Sequence, residues 1–117
     1  MKSSVAGQAP HGPNTCPIAI VAKLVGDMWT LLIIRDLGNG PRRFGDLATS
    51  LQGISTRTLT QKLKDLESHG LVSRHEYKER PPRVVYDLTK QGHELTTIID
   101  AMRTYGERHL KDNTPSK

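Results

Sequence analysis

The sequence predicts an α+β domain, mostly α: a winged helix-turn-helix with a two-stranded β-wing and flanking dimerisation helices. Three observations predict it. Four short helical segments precede two β-rich runs and one long helix, all within 117 residues. The third and fourth of those helices meet across a tight turn, Gln52-Gly53-Ile54. The two β-rich runs enclose Lys78-Glu79-Arg80-Pro81-Pro82, whose prolines keep it out of a ladder and whose lysine and arginine make a basic tip.

Each element has a local reason. Residues 1–15 are rich in Gly, Pro, Ser and Ala without a period, and read as a disordered N-terminal arm. Pro17 suits the first turn of a helix, where a missing N–H costs nothing. Ile18 to Val25 then forms a helix that is apolar nearly all round, broken only by Lys23. Such a helix expects cover on both sides, one of which a partner subunit can supply. Gly26-Asp27 ends it and caps a second helix, Met28 to Leu37. Gly38-Asn39-Gly40-Pro41 is a strong breaker, and Arg42-Arg43-Phe44 can add a short strand. Gly45 to Leu51 reads as a third helix with Leu47, Ala48 and Leu51 facing inward.

Ser55 is a good N-cap for the fourth helix, Thr56 to His69. Leu59, Leu63 and Leu66 give it a narrow apolar stripe, and Gly70 is placed to close it. Leu71 to Tyr77 and Arg83 to Leu88 read as strands, with Val84, Tyr86 and Leu88 alternating against Arg83, Val85 and Asp87. Thr89 caps a last helix running to about Leu110, striped by Leu95, Ile98, Ile99, Met102 and Tyr105. Residues 111–117 read as a flexible tail, so the folded domain is expected over residues 16–110.

Composition excludes several classes. No apolar run approaches the ~18–20 residues that span a bilayer. The first 15 residues lack the apolar stretch of a secretory signal, so a cytoplasmic location is expected. One cysteine allows no internal disulfide, and 4% aromatics are too few for a base-stacking platform. The five histidines show no metal-ligand spacing, no catalytic motif stands in a credible context, and no metal, cofactor or enzymatic activity is expected. Residues 41–90 hold ten basic and six acidic side chains, which is +4 of the chain's +5. A concentrated basic excess suits a polyanion, although a solubilising surface would have the same charge.

The fourth helix fits the requirements of DNA reading. A major groove about 12 Å wide admits one helix. The entering N-terminal end has free N–H groups and a dipole that suit phosphate. Here that end offers Ser55, Thr56, Arg57, Thr58, Gln61 and Lys62, where Arg suits guanine and Gln suits adenine. Arg43 joins the set from the short strand, and Arg80 and Arg83 flank the wing prolines, placed to reach the minor groove or its phosphates. The alternatives are a merely solvated helix face and a charged hairpin that deters edge pairing.

With these residues in view, the chain resembles the HxlR family of bacterial winged-helix regulators. The likeness lies in Cys16-Pro17, Trp29-Thr-Leu-Leu-Ile-Ile, Gly40-Pro-Arg-Arg-Phe44 and Gly53-Ile-Ser55. It continues through Leu59-Thr-Gln-Lys-Leu63, Gly70-Leu-Val-Ser-Arg74, Tyr77, Pro81-Pro-Arg-Val-Val-Tyr86, Leu88-Thr89 and Gly92. It covers about residues 16–106, and the ordered set is specific although no single element is. It implies a homodimeric transcription regulator on a pseudo-palindromic operator, with Ser55 to Lys62 in the major groove and Arg80 to Arg83 as the wing. It also implies a dimer interface from the first and last helices, which agrees with their stripes: Ile18, Val21, Val25, Leu95, Ile98, Ile99, Met102 and Tyr105. Asp27-Met28 departs from the Gly-Lys common in the family, which puts in doubt any role carried over to position 28.

Some members of that family sense oxidants or electrophiles through a cysteine just before the first helix, where Cys16 stands. A thiol at a helix N-terminus feels the positive end of the dipole, which favours thiolate. Inert packing as a small hydrophobe is the alternative. Trp29 reads as core, with a ligand-pocket wall as its alternative. Two rival functions stand beside the redox-responsive DNA-binding regulator. One is a regulator triggered by a small-molecule effector with Cys16 silent. The other is a winged-helix module that binds protein and not DNA.

Overall fold

The computed structural model describes residues 14–110. Of the expected arm, residues 1–13 lie outside the described residues, and so does the whole expected tail, 111–117. Asn14 and Thr15 form a turn that leads into α1, Pro17–Val25.

The core is built on α2, Met28–Leu37, whose Ile33, Ile34 and Leu37 are fully buried. Asp27 caps it: the carboxylate accepts from the Thr30 amide at 3.0 Å and from the Thr30 hydroxyl at 2.7 Å. A two-residue strand β1, Arg42–Arg43, leads into α3, Phe44–Ser50, which starts with the Arg43 amide donating to the Asp46 carboxylate at 3.1 Å. Leu47 and Leu51 point inward as expected, but Ala48 is exposed. One residue on an α-helix turns about 100°, so the position after Leu47 leaves the inner face.

The turn after α3 uses Gly53 at φ +93, a conformation that side chains rarely adopt. Helix α4, Thr56–Ser68, then buries Leu59, Leu63 and Leu66. Its C-terminal end is closed by Gly70 at φ +74, with the Leu71 amide donating back to the Leu66 carbonyl at 3.0 Å.

Strands β2, Val72–Tyr77, and β3, Arg83–Leu88, pair antiparallel from Val72↔Leu88 out to Tyr77↔Arg83. The short strand expected at Arg42-Arg43 joins this two-stranded wing, pairing with Tyr86 and Val85, so the sheet has three strands in the order β1-β3-β2. The expected alternation on β3 is also blurred. Leu88 is buried and every other β3 residue is half-buried, whichever way it points. β3 is the middle strand of the sheet, between β1 and β2, which shields its residues on both edges.

The last helix is broken, where one helix was expected. Helix α5 spans Lys90–Glu94, α6 spans Thr96–Tyr105, and a π-helical turn follows over Gly106–Leu110. Around Leu95 the bonds tighten to i→i−3, from the Leu95 amide to the Gly92 carbonyl and from the Ile98 amide to the Leu95 carbonyl, both at 3.0 Å. The start of α5 is tied down by the Thr89 hydroxyl on the Gly70 carbonyl at 2.6 Å, which sets its direction independently of α6.

Helix α1 is the other departure. Apolar nearly all round, it buries only Val25, and it leaves Ile18 80% and Ile20 50% exposed. Among the described residues, the chain covers one side of it only. Trp29 is half-buried against the core, in keeping with its reading as a packing residue.

Candidate nucleic-acid interface

Helix α4 is mounted by its apolar stripe, which leaves Thr56, Arg57, Gln61 and Lys64 exposed on the far face and Thr58 and Lys62 at its margins. Its N-terminal turn is ordered by Ser55. That hydroxyl oxygen accepts from the Thr58 amide at 3.0 Å and donates to the Thr58 hydroxyl at 2.9 Å. Among the described residues, the Thr56 and Arg57 side chains have no hydrogen bond or ion pair. Gln61 donates to Asp65 at 3.0 Å, one turn on.

Lys62 is engaged elsewhere. Its ammonium meets the Asp27 carboxylate at 3.1 Å, so a residue expected to face the groove is joined to the α1–α2 junction. Partial burial pushes the Asp27 carboxyl upward, but the Thr30 amide, the Thr30 hydroxyl and Lys62 together outweigh it and hold the group below its ordinary value. The pair stands at the edge of a recess of about 630 Å³ between α1, α2 and α4, floored by Ile20, Val21, Leu24 and Leu66.

The wing holds the other arginines. Arg80 is exposed at the tip beside a cis Arg80–Pro81 bond. Arg83 is half-buried and donates to both carboxylate oxygens of Glu79, at 3.2 and 2.9 Å. Arg43, exposed on edge strand β1, is near enough to help hold Glu79 ionised. Sequence reasoning missed Asp27 as the partner of Lys62 and Glu79 as the partner of Arg83. The second was within reach, since 79 and 83 are opposite charges four apart across a two-proline turn. The first needs the tertiary structure.

The expected interface residues divide into three groups. Ile18, Met102 and Tyr105 are exposed at 80%, 52% and 60%. Val21, Leu95 and Ile98 are half-buried. Val25 and Ile99 are buried in the chain's own core, and Val25 also lines the groove between the two helices. Helices α1 and α6 meet along an apolar groove of about 540 Å³ that includes Ile18, Val21, Ile98 and Met102. A second groove of about 500 Å³ continues it past Tyr105 to Leu110. Cys16 is half-buried at the N-cap of α1 and makes no capping hydrogen bond through its side chain. No group of three or more His, Cys, Asp or Glu among the described residues could hold a metal ion. No single helix there is long and apolar enough to cross a membrane.

The HxlR-like helix-turn-helix family matches residues 24–114. The chain belongs to the HxlR family. An HTH-type transcriptional regulator of Synechocystis, itself uncharacterised, is 42% identical over 101 residues, covering 86% of this chain and 75% of that protein. Among solved structures, a MarR-family transcriptional regulator from Porphyromonas gingivalis W83 superposes with a TM-score of 0.78 at 37% identity, covering 81% of this chain and 93% of that one. The redox regulator HypR in its oxidised form also superposes at 0.78, with 31% identity over 82% of this chain and 99% of its own. These relatives place this HxlR-family chain among helix-turn-helix transcriptional regulators, and its winged-helix fold is theirs.

Proposed function

We propose that the chain is a sequence-specific DNA-binding regulator acting in the cytoplasm as a homodimer on a pseudo-palindromic operator. Residues 16–110 would be its working unit. One observation carries the reading. Helix α4 is anchored by Leu59, Leu63 and Leu66 while its N-terminal face, from Ser55 through Thr56 and Arg57 to Gln61, points away from the body. In that pose the side chains reach base edges and the helix end meets phosphate. The exposed apolar face of α1 and α6 supports the dimer, which would set two α4 helices about 34 Å apart. A winged helix used only for protein contact has no need of an exposed Arg57 or of an arginine-bearing wing.

The test is fluorescence anisotropy on the DNA upstream of the chain's own reading frame against a scrambled duplex, over a salt series. Preference by about 10³ or more with a steep negative salt slope is the expected result. Equal affinity for both duplexes in reduced, oxidised and effector-screened samples would overturn sequence specificity.

The trigger we propose is Cys16. Diamide would take two electrons and two protons from two thiols, joining the Cys16 residues of two protomers or one of them to a small thiol. The start of α1, inside the proposed interface, would then move. HypR is named as a redox regulator, which favours this trigger. Cys16→Ser is expected to bind DNA normally and to ignore diamide, and an unchanged response would remove Cys16 from the mechanism. The recess beside Asp27 and Lys62 favours a second trigger, a small-molecule effector acting with Cys16 silent.

A further inference from the structure

The two wing arginines are not equivalent. Arg83 is held by two side chains. Glu79 takes its Nε and Nη2 in a bidentate pair. The Tyr77 ring lies under its guanidinium, 4.1 Å from Cζ to the ring centroid. Strand register places Tyr77 directly across from it at the mouth of the loop. The Glu79 amide in turn donates to the Tyr77 carbonyl at 2.9 Å, so Tyr77, Glu79 and Arg83 close one ring of contacts at the base of the loop. Arg80 and Lys78 are exposed and, among the described residues, make no hydrogen bond or ion pair.

We infer that Arg83 is a positioning residue, clamped by Glu79 and Tyr77 to fix the wing loop, and that the wing's contact with nucleic-acid phosphate is made by Arg80 with Lys78. This inference rests on the DNA-binding reading above. The physical reason is competition for one guanidinium. A planar fork already matched to a carboxylate, with its face on an aromatic ring, has committed two of its five N–H donors, has its charge offset by the carboxylate, and is fixed in direction, so it is a poorer partner for phosphate than a free arginine. Each group acts on the other: hydrogen bonds from Arg83 hold the Glu79 carboxyl below its ordinary value, and those to Glu79 raise Arg83. Glu79 then has a further consequence. It lowers the phosphate affinity of the wing by one cation, so that binding depends more on α4 and on operator sequence.

The salt slope of DNA binding separates contact from positioning, because each neutralised phosphate adds about 0.9 to it. Arg80→Gln is expected to lower the slope by about one such step. Arg83→Gln is expected to weaken binding with the slope unchanged, and Tyr77→Phe, which keeps the stack, to leave both unchanged. Glu79→Gln releases Arg83, and should raise the slope by about one step and strengthen binding to scrambled DNA several-fold. A slope that falls with Arg83→Gln and is unmoved by Glu79→Gln would overturn the inference. A readout without DNA checks the clamp: the Arg83 Nε–H resonance should be protected from exchange in wild type and lose protection in Glu79→Gln. An unprotected Arg83 in the wild type overturns the clamp. A protected one in a protein that binds no DNA at low salt overturns instead the functional reading, and with it the role given to Arg80.

Discussion

Asp27 and Lys62, 35 positions apart in sequence, are joined by an ion pair of 3.1 Å that ties the α1–α2 junction to helix α4. Asp27 is also the N-cap of α2, so one carboxylate orders the helix that carries the core and holds the margin of the helix that carries the candidate reading face. Loss of the carboxylate in Asp27→Ala should cost about 1 kcal/mol through the cap alone. Asp27→Asn keeps a capping oxygen and loses the charge. Because the native carboxyl is held below its ordinary value, its extra stabilisation is complete above about pH 4, the unfolded value, and is lost as pH falls through the lower folded one. Urea denaturation between pH 2.5 and 7 should therefore show wild type ahead of Asp27→Asn at neutral pH, with the gap closing in acid. A gap that widens in acid would contradict the assignment.

Gly92 is where α5 meets the strand region. A Cβ built there would stand 2.1 Å from the Leu71 carbonyl oxygen, a backbone atom with little room to yield. Gly92→Ala should destabilise the domain by about 1–3 kcal/mol despite alanine's better helix propensity. A variant as stable as wild type in chemical denaturation would show that α5 can shift away.

The two faces of α4 should separate stability from binding. Leu63→Ala removes a side chain that is 2% exposed and should cost about 2–5 kcal/mol in denaturation. Arg57→Ala removes an exposed side chain and should leave stability within about 0.5 kcal/mol. If Arg57 makes a bidentate base contact, the same change costs about 1–3 kcal/mol of DNA affinity, concentrated at one base pair. Equal loss across all sequences would make Arg57 a phosphate contact.

Met102 lines both the apolar groove between α1 and α6 and its continuation along α6, and is 52% exposed. Met102→Glu should convert a dimer to a monomer in sedimentation velocity at micromolar concentration, and reduce operator affinity with it. The fold of the single chain should survive, since the side chain is outside the chain's own core. A Met102→Glu protein that sediments as wild type does would move the interface elsewhere.

The local elements were legible in the sequence because their causes are local. Asp27, Ser55 and Thr89 are short side chains that cap the helices following them, and Gly70 closes α4 with a positive φ. The spacing of Leu59, Leu63 and Leu66 decides which face of α4 is buried, and so which residues remain exposed. Only the tertiary structure decided the rest. Val25 and Ile99 belong to stripes that look like interface, yet they pack inward, because a stripe does not say which of two apolar surfaces will cover it. The break at Leu95 is invisible in a continuous stripe, since it follows from Gly92 packing on the Leu71 carbonyl and Thr89 bonding to Gly70. The partners of Lys62 and Arg83 divide on the same principle. Glu79 and Arg83 lie four residues apart and a turn brings them together. Asp27 reaches Lys62 only because two helices have packed first, and a charge pair between separate elements is set by their packing geometry and not by sequence spacing.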